Sequence, residues 1–227
     1  MRTQLPAAIV ARSAPALVQL NVPWAYDYAL VGALRPIDDL MGEDRARYTD
    51  GAIADLTFNG KLYGFPHYNS VNVMAYNTAL FRKAGSTQVP TTREEQLAVA
   101  KQIRARTGQY GFSPALGKIA GVFLEEGLPL IEHDRAVFNS PAHVALVAKL
   151  AAAYKAGGLL KDKLFSEDNY PASIDAYKSG RMAMLEAPPS ALTRVRDDAP
   201  DVYAVTDVAP VPIGGRGIAA GGWLFHF

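Results

Sequence analysis

The sequence predicts an α/β fold with a mainly parallel sheet. Short apolar runs of strand length alternate along the chain with segments of helical periodicity. The best-marked helix covers residues 91–108, TTREEQLAVAKQIRARTG, which opens with a Thr92 to Glu95 capping-box pattern and ends at Gly108. Such alternation is typical of α/β proteins, in which ligand sites lie in crevices beyond the strand ends.

The other elements are predicted from local patterns in chain order. Strands are predicted at 16–21 (ALVQLN, as a buried parallel strand), at 61–66 after the Asn59-Gly60 turn dipeptide, and at 71–76, 110–116, 181–189 and 202–212. Helices are predicted at 24–40, broken by Gly32 and Pro36, at 141–156, at 173–180, and from Ser190 as an N-cap. The helix at 141–156 is expected to bury Val144, Val147, Ala151 and Tyr154.

Composition excludes several functional classes. The 227 residues suffice for one large or two small domains, and 23 Lys and Arg are scattered among 22 Asp and Glu. A basic stripe for nucleic acid or anionic lipid is therefore missing. The sequence has no cysteine, which removes disulfides and thiol chemistry, and no apolar run approaches the roughly 20 residues that span a bilayer. The apolar run in residues 1–15 is too short for a signal-peptide core.

Patterns for catalysis, metal binding or nucleotide binding are weak. The four histidines show no HExxH spacing, and no GxSxG elbow occurs. The glycines of 214–220 have the spacing of a dinucleotide loop, but a strand-like segment follows them where a helix is required. We therefore expect no metal and no cofactor.

Three glutamates need separate consideration. Glu125 and Glu126 are adjacent on a predicted helix, so they point about 100° apart, and a solvated helix surface is favoured over a catalytic pair. Glu186 ends an apolar run before a pair of prolines. It either faces a ligand at a strand end or caps the helix that begins near Ser190.

Residues 59–85, NGKLYGFPHYNSVNVMAYNTALFRKAG, are followed by VPTTREEQLAVAKQI. Together they resemble the extracellular solute-binding proteins of bacterial ABC importers, in the group that contains maltose-binding protein. That family has a GKLYGIP strand, LYYN, LFKKAG and PPTTWDEL in the same order. The segments ALVQLNVPWAYDYALVGALRPIDDL, YKSGRMAMLEAPPSAL and VAPVPIGGRGIAAGGWLFHF are also similar to family elements, so the resemblance covers almost the whole chain.

The resemblance implies a periplasmic-binding-protein-like α/β fold of two α/β lobes with an interlobe cleft. Residues 1–76 and 213–227 would form an incomplete N-terminal lobe, and 77–212 the C-terminal lobe. The family's signal sequence, first strand-helix-strand unit and C-terminal helical region have no counterpart, so the chain is expected to be truncated at both ends. Uncovered sheet edges and apolar faces then predict self-association or domain swapping.

The function implied by the resemblance is non-enzymatic. The chain would be the extracytoplasmic solute-binding component of an ABC importer, which binds a sugar or oligosaccharide between its lobes and presents it to the membrane permease. One alternative is a carbohydrate-active enzyme that uses Glu186 or Glu125 with another carboxylate. Another is a folded remnant without binding activity.

The resemblance also places candidate site residues. The candidate ligand-binding residues are Trp24, Tyr26, Tyr68, Asn69, Ser70, Glu186 and Trp223, with Lys118 and Ser190 as weaker candidates. The candidate hinge residues are His67, Tyr76 and Pro212. Aromatic rings suit the C–H-rich face of a sugar, and polar groups suit its hydroxyls. A core role stays open for Trp24 and Trp223, and a local backbone bend for Asn69 and Ser70.

Overall fold

The computed structural model describes residues 4–166, 168–213 and 220–226, with the backbone alone described for 68–70 and 220–226. The chain divides into two compact units. The first comprises Met1–Ser70 with Ala219–Phe227, and the second comprises Val71–Ile218. Both units combine helices with a sheet.

The described helices and strands follow one another along the chain in short groups of like elements. The helices are α1 Gln4–Val10, α2 Val22–Leu30, α3 Asp38–Met41, α4 Asp50–Ala54, α5 Thr78–Ala84, α6 Arg93–Thr107, α7 Ile119–Glu125, α8 Pro141–Lys155, α9 Tyr170–Lys178, α10 Ser190–Asp198 and α11 Pro200–Tyr203. The strands are β1 Val18–Asn21, β2 Thr57–Phe58, β3 Lys61–Leu62, β4 Phe65–Ser70, β5 Val73–Asn77, β6 Ile131–Glu132, β7 Arg135–Ala136, β8 Met184–Ala187, β9 Thr206–Pro210 and β10 Ala220–His226. No helix of the described ranges is long and apolar enough to cross a membrane.

The first unit is built on a three-stranded antiparallel sheet in the order β1-β10-β4. The Asn59-Gly60 turn is confirmed: both residues have positive φ, 51° and 74°, and they join β2 to β3 as a two-residue hairpin. The strand predicted after this turn is divided into β3 and β4. The polar residues 67–70 lie within β4, where the sequence predicted that they separate two strands.

The second unit has a sheet in the order β8-β5-β9, with both pairings antiparallel. The prediction of a mainly parallel sheet is wrong, as is that of a parallel strand at 16–21, since β1 pairs antiparallel with β10. Alternation predicts parallel neighbours where successive strands pair, but β5 pairs with strands that follow much later in the chain. Parallel pairing among the described residues is confined to the bridges Tyr110–Met182 and Phe112–Leu159, in the segment predicted as a strand at 110–116.

Helix α6 confirms the best-marked sequence pattern. The backbone N–H of Glu95 donates to the Thr92 hydroxyl at 3.2 Å, and the Thr92 N–H donates to the Glu95 carboxylate at 3.3 Å. Leu97, Ala100 and Ile103 are buried on the face toward the core. The helix ends where Gly108 adopts the left-handed conformation.

The buried face of α8 differs from the predicted one. Its buried residues are His143, Leu146, Leu150 and Ala153. Val144 and Val147, which were expected in the core, are exposed. The helix PAHVALVAKLAAAYK carries apolar residues on several faces, so periodicity alone does not select one. The face is set by packing on α6 and by the edge-to-face contact of His143 with the Phe123 ring, at a centroid distance of 4.7 Å.

Gly111 permits a close approach between α6 and the strand-like segment at 110–112. A Cβ at this position would lie 2.2 Å from the Cβ of Ala100. Gly111 also donates its N–H to the Gly158 carbonyl and accepts from the Met184 N–H. A side chain here would force the helix away from the sheet.

We expect Gly111→Ala to lower the free energy of unfolding by about 1–3 kcal/mol or more, because core overpacking costs this much. Gly121→Ala is the matched control, since Gly121 lies within α7 and a Cβ added there would have no atom within 4 Å. The control should be neutral or stabilising by roughly 0.5–1 kcal/mol through helix propensity. Urea unfolding of both variants checks this, and equal stability of Gly111→Ala and wild type would contradict the packing argument.

Candidate functional site

A cavity of about 270 Å³ lies within the second unit. Its charged lining residues are Arg93, Lys118, Glu125 and Glu186. Its neutral polar lining residues are Asn72, Ser113, Asn169, Tyr170 and Ser173. These side chains come from separate segments of the sequence and meet because α6, α7, α9 and the end of β8 converge there. The cavity therefore presents several fixed hydrogen-bonding groups around one space.

Arg93, the first residue of α6, is the centre of the charged lining. Its side chain is 3% exposed and meets three carboxylates. The guanidinium donates from Nη1 to Glu186 Oε1 at 2.7 Å, from Nη2 to Glu125 Oε2 at 3.1 Å, and from Nε to Glu126 Oε1 at 3.3 Å. Gln96 adds a bridge: it accepts from Arg93 Nη1 and donates to Glu186 Oε1, each at 2.7 Å.

The placement of these charges opposes two helix dipoles. Arg93 places a positive charge at the N-terminus of α6, where the helix dipole disfavours cations. Glu125 and Glu126 place negative charge at the C-terminus of α7, where the dipole disfavours anions. Their mutual pairing offsets both penalties. Burial lowers the pKa of the Arg93 guanidinium, but Glu186, Glu125 and Glu126 raise it by more, so the net shift is upward.

Glu125 is the carboxylate of the cluster whose pKa is raised. Burial raises the pKa of Glu125, Arg93 lowers it, and the neighbouring Glu186 and Glu126 raise it further. Burial is the largest cause of this upward shift, and the two neighbouring carboxylates reinforce it against the opposing effect of Arg93. The side chain is 37% exposed, so part of this charge faces the cavity.

The opposite wall is held by Asn169. Its side-chain Nδ2 donates to Ser113 Oγ and to the Pro114 carbonyl, both at 3.1 Å. Ser173 Oγ donates to the Asn169 carbonyl at 2.9 Å. These bonds fix the loop after the 110–112 segment against the start of α9, where Tyr170 contributes an aromatic ring to the cavity lining.

Three residues singled out in the sequence, Lys118, Glu125 and Glu186, line this cavity. Glu186 bonds to Arg93 and Gln96 and does not cap α10, so the capping alternative is wrong. The prediction of Ser190 as an N-cap is also wrong: Pro189 is the N-cap, and no side chain caps the helix. The preference for Glu125 and Glu126 as solvated helix surface is wrong as well, because both pair with buried Arg93.

The candidates Trp24 and Tyr26 lie on α2 of the first unit. Trp24 is half-buried against the core of that unit, and its backbone N–H donates to the Asn21 side-chain carbonyl, which caps α2, at 3.0 Å. Tyr26 is exposed and meets the Phe58 ring edge-on at 4.9 Å between centroids. Their contact with a ligand stays a prediction.

Four further ligand candidates fall where the structure describes the backbone alone. Tyr68, Asn69 and Ser70 belong to β4, and Trp223 belongs to β10. Trp223 pairs with Tyr68 across the sheet, and this pairing is bordered by register shifts. Their side chains lie outside the described residues, so their roles stay predictions.

The three hinge candidates occupy different surroundings. His67 lies in β4. Tyr76 lies in β5, where its hydroxyl donates to Asp207 at 3.1 Å. Burial raises the pKa of Tyr76, and the hydrogen bond to Asp207 and its negative charge raise it further. Pro212 is buried just after β9. Their hinge role stays a prediction.

Sequence reasoning missed Arg93, Ser113, Asn169 and Tyr170 as cavity residues. One signal was present: Arg93 lies inside the capping box, in a helix turn that favours acidic residues. The others show no local signal, because their proximity depends on tertiary packing. Among the described residues, no group of three or more His, Asp or Glu is arranged to hold a metal ion.

The sequence matches the family profile of bacterial extracellular solute-binding proteins over residues 1–224. The chain belongs to this family. Its fold agrees with that assignment, because it superposes on a Synechococcus sp. MITs9220 protein assigned as an oligosaccharide periplasmic-binding protein. The TM-score is 0.84 and the identity 29%, and the match covers 100% of this chain and 58% of the Synechococcus protein. The predicted periplasmic-binding-protein fold is thus confirmed.

Two other relatives define the extent of the match. The GacH receptor of Streptomyces glaucescens GLA.O, solved unliganded and with acarbose, superposes with a TM-score of 0.80 and 26% identity, covering 98% of this chain and 59% of GacH. A Brucella abortus (strain 2308) protein described as a binding protein is 26% identical over 207 residues, 87% of this chain and 50% of its own length. The chain therefore spans about half the length of this curated relative.

The charge cluster generates a pH-dependent prediction. Because the native pKa of Glu125 is raised above its ordinary value of 4.5, its ionisation disfavours the folded state at neutral pH, and this penalty disappears as the pH falls through the raised pKa. We expect Glu125→Gln to raise the melting temperature at pH 7, with the gain shrinking toward pH 4.5.

Glu94→Gln is the matched control, since Glu94 is exposed and pairs with exposed Lys149. It should change the melting temperature little and without a trend in pH. Thermal unfolding of the three proteins between pH 4.5 and 8 measures both effects. A lower melting temperature for Glu125→Gln at pH 7 would show that ionised Glu125 stabilises the fold.

Proposed function

We propose that this chain is the solute-binding component of an ABC importer and that it binds a sugar or oligosaccharide without covalent chemistry. Family membership supports the binding role. The observation that carries the sugar assignment is the cavity of about 270 Å³, in which donors and acceptors are held in place by hydrogen bonds within the protein. A polyol needs such fixed groups, because each hydroxyl loses its water on binding.

The relatives support the same ligand class. The Synechococcus protein is assigned to oligosaccharides, and GacH was solved with acarbose. By analogy we propose an extracytoplasmic location and delivery of the ligand to membrane permease subunits. The proposed ligand residues are those of the cavity together with Trp24, Tyr26, Tyr68, Asn69, Ser70 and Trp223. The proposed hinge residues are His67, Tyr76 and Pro212.

We propose 1–76 with 213–227 and 77–212 as the two functional lobes of the chain. Each of the two proposed boundaries lies six residues from a boundary between the compact units, which fall between 70 and 71 and between 218 and 219. The family profile extends across both.

The rival function, a carbohydrate-active enzyme, gains no support from the relatives, which are binding proteins. The carboxylates on which it relied, Glu125 and Glu186, share the Arg93 guanidinium. An acid and a base flanking a glycosidic bond need different protonation states and freedom to exchange a proton. Binding without turnover is therefore the proposed outcome.

Neutral sugars should raise the melting temperature, because a ligand that binds only the native state stabilises it by about 2.7 kcal/mol at 100 times its Kd.

Lys118→Ala should weaken sugar binding about three- to tenfold, because it removes a donor from the cavity wall. The stability of the free protein should change little, since Lys118 is exposed.

Lys101→Ala, an exposed position in α6 that does not line the cavity, is the control and should bind like wild type. Thermal shift over a sugar panel followed by calorimetry measures both variants, and chromatography of the recovered sugar detects turnover. Absence of any shift in a folded protein would refute sugar binding. Release of a shorter sugar would refute the non-enzymatic proposal.

We also propose that the chain self-associates. Val144, Val147 and Phe165 expose large apolar side chains in the second unit. In the first unit β1 and β4 each have one paired neighbour among the described strands. Uncovered apolar faces and strand edges favour association. Light scattering coupled to gel filtration should give a mass above the 24.4 kDa of one chain, and this mass should fall on dilution. Val147→Glu should lower the mass, whereas the control Lys101→Glu should leave it unchanged. A stable monomer at all concentrations would rule this out.

A further inference from the structure

The Arg93 guanidinium has only one N–H group, on Nη2, without a protein acceptor among the described residues. Its Nε, Nη1 and Nη2 all donate to protein side chains, and Nη1 donates to both Glu186 and Gln96. Arginine is the usual residue for bidentate binding of a ligand carboxylate or phosphate. That contact needs two parallel N–H groups, whereas Arg93 has one left and is 3% exposed, so this arginine orients its acceptors and cannot bind a ligand anion in a bidentate manner.

The acceptors that Arg93 orients retain unused oxygens. Glu186 receives both of its bonds at Oε1, and Glu125 receives its bond at Oε2. Within the described residues, Glu186 Oε2 and Glu125 Oε1 have no hydrogen-bond partner, and both side chains line the cavity. An ionised carboxylate only accepts hydrogen bonds, so a ligand that displaces water from these oxygens must supply a donor to them.

Charge reinforces this requirement. Three carboxylates meet one guanidinium, which leaves two negative charges in the cluster. Lys118, the other cation of the cavity lining, offsets one of these charges without forming an ion pair with a described residue. The cavity wall formed by Glu125 and Glu186 therefore keeps a surplus of negative charge in a partly desolvated space. A ligand carboxylate, phosphate or sulfate placed there meets like charge, which costs far more than the loss of one hydrogen bond.

We propose that the Arg93–glutamate cluster is a charge-selection device: the cavity takes sugars that present hydroxyl or ammonium donors to Glu125 and Glu186, and it rejects uronic acids and phosphorylated sugars. This inference rests on the proposed sugar-binding function. It assigns Arg93 as a positioning residue and the two glutamates as the groups that determine specificity.

The test compares three matched sets of probes on the whole chain. The neutral set is glucose, galactose, mannose, maltose and cellobiose; the anionic set is glucuronate, galacturonate and mannuronate; the cationic set is glucosamine, galactosamine and mannosamine. Calorimetry and ligand-observed NMR at pH 7 and constant salt measure affinity. Among counterparts of one configuration, we expect the amine to bind at least as tightly as the neutral sugar, and the uronate to bind more than about tenfold more weakly.

A double variant tests the cause. Glu125→Gln with Glu186→Gln keeps the side-chain shape but removes two negative charges, so uronates should bind at least as tightly as their neutral counterparts. If that variant does not fold, as judged by circular dichroism, Glu125→Gln alone should reduce the discrimination at this partly exposed position. Glu94→Gln, on the exposed side of α6, should keep the wild-type ratio.

The outcomes separate this inference from the function on which it rests. Binding of neutral sugars with uronates equal or tighter overturns the charge selection and leaves sugar binding intact. Unchanged discrimination in both glutamine variants also overturns it, because the selection would then have another source. Failure of every neutral and cationic probe to bind overturns sugar binding, and the inference with it.

Discussion

The ion cluster of Arg93 with Glu125, Glu126 and Glu186 is the interaction on which the cavity depends. It joins the beginning of α6, the end of α7 and the end of β8, which are otherwise connected through apolar packing. Burying a guanidinium is costly unless its partners are fixed, and removing Arg93 would leave three carboxylates without a compensating charge. The cluster is therefore less a source of net stability than a constraint that specifies one arrangement of three elements.

Local signals predicted those parts of the fold that local chemistry decides. The capping box at Thr92 and Glu95 and the left-handed glycine at 108 determine where α6 begins and ends, and both are visible in the sequence. The Asn59-Gly60 turn belongs to the same class. The buried face of α8 was not predictable in this way, because its several apolar faces leave the choice to Phe123 and α6.

The residues of the cavity also divide into those with a local sequence signal and those that only tertiary packing brings together. Glu186 was singled out because a strand end followed by prolines is a local pattern, and family resemblance gave it a role. Its partner Arg93 lies 93 positions away, and Glu126 lies 33 positions from Arg93, so no spacing rule connects them. Asn169 joins the Ser113 loop to α9 over a similar separation. Proximity of this kind is a product of the sheet order, which alternation of strands and helices did not predict.

The absence of a side chain at Gly111 sets how closely α6 can approach the 110–112 segment in the second unit. Ala100 of α6 lies against this glycine, and the Gly111 carbonyl accepts the Met184 N–H of β8. The distance between α6 and β8 at that contact therefore also affects the distance between Arg93 on α6 and Glu186 on β8. Their side chains form a hydrogen bond of 2.7 Å. A methyl group at Gly111, outside the cavity, would therefore change the geometry of the Arg93–Glu186 pair without contacting either side chain.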